Sequence, residues 1–82
     1  MIRILELLYL GDSRLELGFS NGRRGVYDAH LLLDNQGSLL EPLRDETYFA
    51  RVFLDAGTLC WPNGLELSPS RVYEQTQFTE AA

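Results

Sequence analysis

The residues able to do chemistry are few: one histidine, one cysteine, and a serine that follows an apolar run near the N-terminus. In Gly11-Asp12-Ser13 the serine occupies the place where a nucleophile would sit on a turn after a first strand. Such a serine needs a base to take its proton, a group to orient that base, and donors for the developing oxyanion. His30 is the only histidine, and it comes too soon after Ser13 to serve as the late Asp-x-x-His block of Gly-Asp-Ser esterases. Gly-Asp-Ser is also ordinary hairpin-turn chemistry, because each of its residues favours a turn for its own reason. A turn is therefore expected here, and no catalytic residue is assigned.

Asp28, His30 and Asp34 could be read as metal ligands. A catalytic zinc site takes three protein ligands, usually with two or more histidines or cysteines among them, so this set is incomplete. His30 is expected to hydrogen-bond locally at a strand end, with no metal and no cofactor. Cys60 stands between Leu59 and Trp61, with no basic group placed to lower its pKa. It is expected to be a small buried core residue. Arg23 and Arg24, with Arg14 nearby in sequence, either grip a carboxylate or phosphate or are solvated hairpin charges. No phosphate loop, dinucleotide fingerprint or Cys-x-x-Cys pair occurs.

The 82 residues suffice for one domain. A domain of this size has a thin core and gains from association. The formal net charge is −5, from twelve carboxylates and seven basic residues, all of them arginine. That balance argues against unaided nucleic-acid binding, which needs a cationic surface, and suits a basic protein partner. No apolar run approaches the length of a membrane span, and no signal peptide is expected, since Arg3 and Glu6 interrupt the first apolar stretch. A lone cysteine excludes an internal disulfide, and a cytoplasmic location is expected.

Positioning falls to short strands and hairpins. Ile2–Leu10 reads as a first strand. Leu15, Leu17 and Phe19 alternate with polar or small residues, the period of a half-buried strand. Asn21-Gly22 then signals a hairpin. A two-residue turn would place Val26 opposite Leu17, and a three-residue loop would place Tyr27 there; the pattern leaves both open. His30–Leu33 suggests one helical turn, and Leu39, Leu40 and Leu43 flank Pro42 in an irregular segment. Asp45 is expected to cap a short helix carrying Tyr48 and Phe49. Val52–Asp55 and Thr58–Trp61 should pair across Ala56-Gly57. After the Trp61-Pro62-Asn63-Gly64 turn, Leu65 and Leu67 alternate again, and Ser68 with Pro69 should start a last helix reaching about Gln75. The expected fold is therefore α+β: a single small domain over residues 1–75, mainly an antiparallel sheet built from hairpins with two or three short helices. Residues 76–82 are expected to form a C-terminal tail, part of which docks through Phe78.

These blocks resemble family 2442 of the bacterial domains of unknown function. The likeness spans about residues 2–75. It rests on Leu15-x-Leu17-x-Phe19-x-Asn21-Gly22, Val26-Tyr27-Asp28, Leu43-x-Asp45 with Phe49, and Asp55-x-Gly57-Thr58. It continues through Trp61-Pro62-Asn63-Gly64, its most specific element, and Leu67-x-Pro69 with Tyr73. The resemblance implies a small α+β domain without established catalytic residues. It also implies a gene beside a short gene of another uncharacterised family, a layout suggestive of a toxin–antitoxin pair. Some relatives append a helix-turn-helix; this chain ends soon after the matching region, so direct repressor activity is not expected.

The leading expectation is a non-enzymatic interaction module for a small protein partner, antitoxin-like in action. Trp61 and Tyr73 would be its anchors and Glu66 a rim charge. The alternative is a homodimeric domain that binds or senses a small ligand through Arg14, Arg23 or Arg24 near Tyr27. The Trp61-Pro62-Asn63-Gly64 turn is either a binding epitope or a fold staple, and staple is favoured because a tryptophan before a proline turn buries a large apolar area.

Overall fold

The computed structural model describes residues 1–79. Three strands open the chain: β1 (Ile4–Gly11), β2 (Arg14–Phe19) and β3 (Arg24–Asp28). A helical turn α1 (His30–Leu33), a 3-10 turn over Glu41–Arg44 and a short helix α2 (Glu46–Phe49) follow. Then come β4 (Phe53–Asp55), β5 (Thr58–Cys60), β6 (Glu66–Leu67), α3 (Pro69–Gln75) and β7 (Gln77–Phe78). The strands form two antiparallel sheets, ordered β1-β2-β3-β7 and β4-β5-β6, so the α+β class holds.

The first sheet buries one face. Leu15, Leu17 and Phe19 on β2 and Tyr27 on β3 point inward, as period-two alternation requires. Phe49 and Leu43 from the helical segments, Leu59 of β5 and Trp61 just after that strand close over them, and Val72 of α3 completes the core. Asp45 caps α2, its side chain accepting from the Thr47 N–H at 3.0 Å. Ser68 occupies the cap position of α3, but its hydroxyl lies 3.1 Å from that of Ser70 and makes no cap bond.

The hairpin register differs from both expected alternatives. Leu17 lies opposite Gly25, and Leu15 opposite Tyr27. The loop is Ser20-Asn21-Gly22, closed by bonds from Phe19 N to Arg23 O and from Gly22 N to Phe19 O. Gly22 takes the left-handed angle that follows a type I turn in a three-residue hairpin, and Asn21 Oδ1 accepts from Arg23 N. The loop therefore starts one residue earlier than the Asn-Gly signal suggests.

That register makes Gly25 the crossing point of two strands. A Cβ there would come within 2.4 Å of the Gln77 carbonyl and 2.7 Å of Thr76 Cγ2. β7 pairs beside it, with Gly25 opposite Phe78 and Val26 opposite Gln77. Residues 77 and 78 thus belong to the sheet rather than to a tail beginning at 76; residues 80–82 lie outside the described part. No helix among the described residues is long and apolar enough to cross a membrane.

Candidate functional site

A cluster of polar side chains surrounds the β1–β2 connection. Asp12 and Ser13 both have positive φ, 54° and 57°, which is the geometry of a two-residue type I′ turn. Serine adopts that angle at a cost, and here Glu46 offsets it. Ser13 Oγ donates to Glu46 Oε2 at 2.5 Å, and Ser13 N donates to Oε1 at 2.9 Å. Tyr9 OH donates to the same Oε1 at 2.5 Å. The Ser13 hydroxyl holds the Glu46 carboxyl below its ordinary pKa, with Tyr9 adding to the effect. Ser13 is only 2% exposed. Its hydroxyl pins the turn to the start of α2 and is turned away from solvent.

His30 sits beside this turn between two carboxylates. Its Nδ1 is 2.5 Å from Asp28 Oδ1, and its Nε2 is 3.3 Å from Asp12 Oδ1. Only an imidazolium can donate from both ring nitrogens, so the pair of carboxylates favours the charged form. The hydrogen bond to Asp28 raises the His30 pKa above its ordinary value, and Asp12 contributes less. Asp28 is held low, chiefly by the His30 backbone N–H at 3.0 Å. Asp34, the third residue of the conceivable metal set, meets His30 through its backbone N–H to the His30 carbonyl. Among the described residues no group of three or more His, Cys, Asp or Glu side chains is placed to hold a metal ion.

The residues expected to form an interaction surface separate. Trp61 is 1% exposed, and its indole N–H donates to the Phe49 carbonyl at 3.0 Å. A side chain so enclosed has no face to offer a partner, so the expected anchor is a core residue. The turn after it is a staple: Asn63 Nδ2 donates to the Leu39 carbonyl at 3.0 Å, while Asn63 Oδ1 accepts from Leu65 N. Glu66 is exposed on β6 opposite Cys60. Tyr73 is half-buried, stacked edge-on against Phe19 at 5.0 Å, and its hydroxyl receives bonds from Asn21 and Arg23. Burial pushes the Cys60 thiol up.

The hairpin arginines are occupied. Arg24 pairs with Glu6, and with Glu16 at 3.4 Å. Arg23 lies 3.7 Å over the Phe78 ring, a cation–π contact, and also reaches Tyr73. Arg14 is 3.8 Å from Asp12. The anion grip expected from these three is thus filled by the chain's own acids and rings.

An exposed apolar stripe lies elsewhere, on β1. This strand is the edge of its sheet. Leu5 and Leu8 are each 57% exposed and Leu10 is 46% exposed. Leu8 pairs with Glu16, which in turn pairs with Val26, so Leu8 and Val26 share the outer face with the Glu6–Arg24–Glu16 ion pairs. Sequence reasoning assigned β1 as a strand but not which leucines remain outside. Its cue was present in the run itself: β1 holds more leucines than one buried face can absorb.

The fold and this surface define a small α+β domain with a polar turn cluster and an apolar edge strand. The chain belongs to the family described as "Protein of unknown function (DUF2442)", whose model matches residues 4–77. No curated protein and no solved structure matches it.

Proposed function

We propose that this protein is a non-enzymatic interaction module that acts in the cytoplasm and covers a small basic protein encoded by a neighbouring gene, as an antitoxin covers its toxin. The observation that carries the reading is β1: an eight-residue edge strand with Leu5, Leu8 and Leu10 exposed. Edge strands of this kind are a hazard unless charged, covered or paired, and pairing with an extended segment of a partner uses their free main-chain groups. Carboxylates outnumber guanidinium groups around the stripe, with Glu6 and Glu16 about the single Arg24. Together with the net charge of −5, that favours a partner with an apolar centre and a basic rim. Neither nucleic acid nor a membrane is a partner in this reading.

Native co-purification of the chromosomally tagged protein, read by mass spectrometry, tests it. One small basic neighbour-encoded protein should be recovered in stoichiometric amount, and the double variant Leu8→Glu/Leu10→Glu should lose it while staying folded. Recovery of the protein alone would remove the pairing. Growth arrest by the neighbour that this protein does not relieve would remove the antitoxin form.

A further inference from the structure

The face of the sheet opposite Leu8 holds a second feature, a cleft of about 110 Å³ between α1 and α3. Its walls carry apolar side chains on both sides, Leu31 and Leu32 on one and Leu67 and Val72 on the other. Polar side chains line it too: Asn35, Ser68 and Gln75, with Tyr27 and Arg71 as the two that matter for a charged ligand.

Tyr27 is 3% exposed, yet its hydroxyl bonds to no other described residue. A buried hydroxyl is ordinarily paired. No buried side-chain atom among the described residues is both sealed from solvent and unpaired, so this hydroxyl keeps its contact with the open space beside it. Burial raises the Tyr27 pKa, so near neutral pH the group is a donor. Arg71 has no ion pair or hydrogen bond through its guanidinium among the described residues, unlike Arg24 and Arg44, which each meet a carboxylate. An apolar cleft with a neutral donor and an uncompensated cation fits an anion with an apolar body.

We propose that this cleft binds a small monocarboxylate, its carboxylate held by Arg71 and the Tyr27 hydroxyl, its branched body lying against Leu32, Leu67 and Val72. A dry cavity of about 150 Å³ accepts benzene, so this cleft suits about four or five carbons. Asp28 next to Tyr27 is held ionised by His30 and, more weakly, Arg14, and its charge reaches Tyr27; the cation that a ligand carboxylate meets is Arg71. The proposal goes beyond the interaction reading and is separable from it: the cleft lies across the sheet from Leu8, and partner capture and carboxylate binding are read independently.

The test is a titration of the ¹⁵N-labelled full chain with 4-methylpentanoate, followed by amide shifts. Saturable shifts should centre on Tyr27, Leu32 and Val72. Binding should weaken about tenfold or more for 4-methylpentanamide, which keeps the body and loses the charge, and for acetate, which keeps the charge and loses the body. Arg71→Gln, at an exposed position, should weaken the acid by a similar factor and leave the amide nearly unchanged, and Tyr27→Phe should weaken the acid more than the amide. Absence of saturable shifts up to about 20 mM, or equal binding of acid and amide by the wild-type chain, would overturn the proposal.

Discussion

Trp61 and Phe49 are joined twice, by the indole N–H on the Phe49 carbonyl at 3.0 Å and by rings whose centroids lie 5.5 Å apart at 54°. The contact ties the turn between β5 and β6 to α2, so the most distinctive block of the sequence acts as an internal fastener. Trp61→Phe keeps most of the apolar volume and removes the indole bond, while the Phe49 carbonyl keeps its bond from Val52 N, so the expected cost is about 0.5–1.5 kcal/mol. Trp61→Ala should cost about 3–5 kcal/mol, enough to unfold much of a domain this small. Urea melts of both variants check the ordering. A Trp61→Phe protein as stable as wild type would show that the indole bond contributes nothing.

Glu46 serves three donors at once, so its removal strands two groups of the buried Ser13. Glu46→Ala should destabilise by about 1–3 kcal/mol, whereas Glu46→Gln, which can still accept, should cost less. The folded carboxyl has a pKa below its ordinary value of 4.5. Its contribution is therefore present above about pH 4.5 and lost as pH falls through the lower folded value. Acid titration of wild type and Glu46→Gln should show the acid limb flattened in the variant.

His30 has the opposite sign. Its folded pKa is raised above 6.5 by Asp28 and Asp12. The stabilisation is complete below about pH 6.5 and disappears as pH rises through the higher folded value. The melting temperature of wild type should therefore fall over that window relative to His30→Asn, and the imidazole resonances should titrate above the free-histidine value. A His30 that titrates at or below 6.5 would contradict the paired geometry.

Gly25→Ala should damage the sheet although the backbone angle there is ordinary. The new methyl would overlap the Gln77 carbonyl and Thr76 Cγ2, so β7 must shift or leave β3. The expected cost is about 1–3 kcal/mol, with faster hydrogen exchange at Phe78. Exchange rates at residues 77–78 equal to wild type would show that the strands accommodate the methyl.

Cys60 is 6% exposed and its thiol is shifted up by burial. It should react slowly with a thiol reagent in the folded protein and at the free-cysteine rate in denaturant. Rapid native labelling would mean that β5 opens readily.

Much of the fold was legible because its signals are local. Leu15, Leu17 and Phe19 announce their buried face by alternation, Asp45 its cap, and Ala56-Gly57 its turn, since each depends on residues only a few positions apart. The hairpin register was less legible. Asn21-Gly22 marks a turn, but whether Gly22 is a central residue or the bulge that follows depends on which register lets β7 pass over Gly25, a contact more than fifty residues away.

The same division holds for the functional surfaces. The sequence alone determined the α+β class, the acidity, the lack of a second histidine or cysteine, and the family to which the blocks belong. Only the tertiary structure decided that Trp61 is enclosed, that Glu46 meets Ser13 across 33 positions, that the leucines of β1 face outward, and that Tyr27 and Arg71 line one cleft. Composition and periodicity report how a residue relates to its neighbours in the chain. Exposure, ion pairing and cavities depend on which distant segments fill the space around it, and that is settled only when the whole core packs.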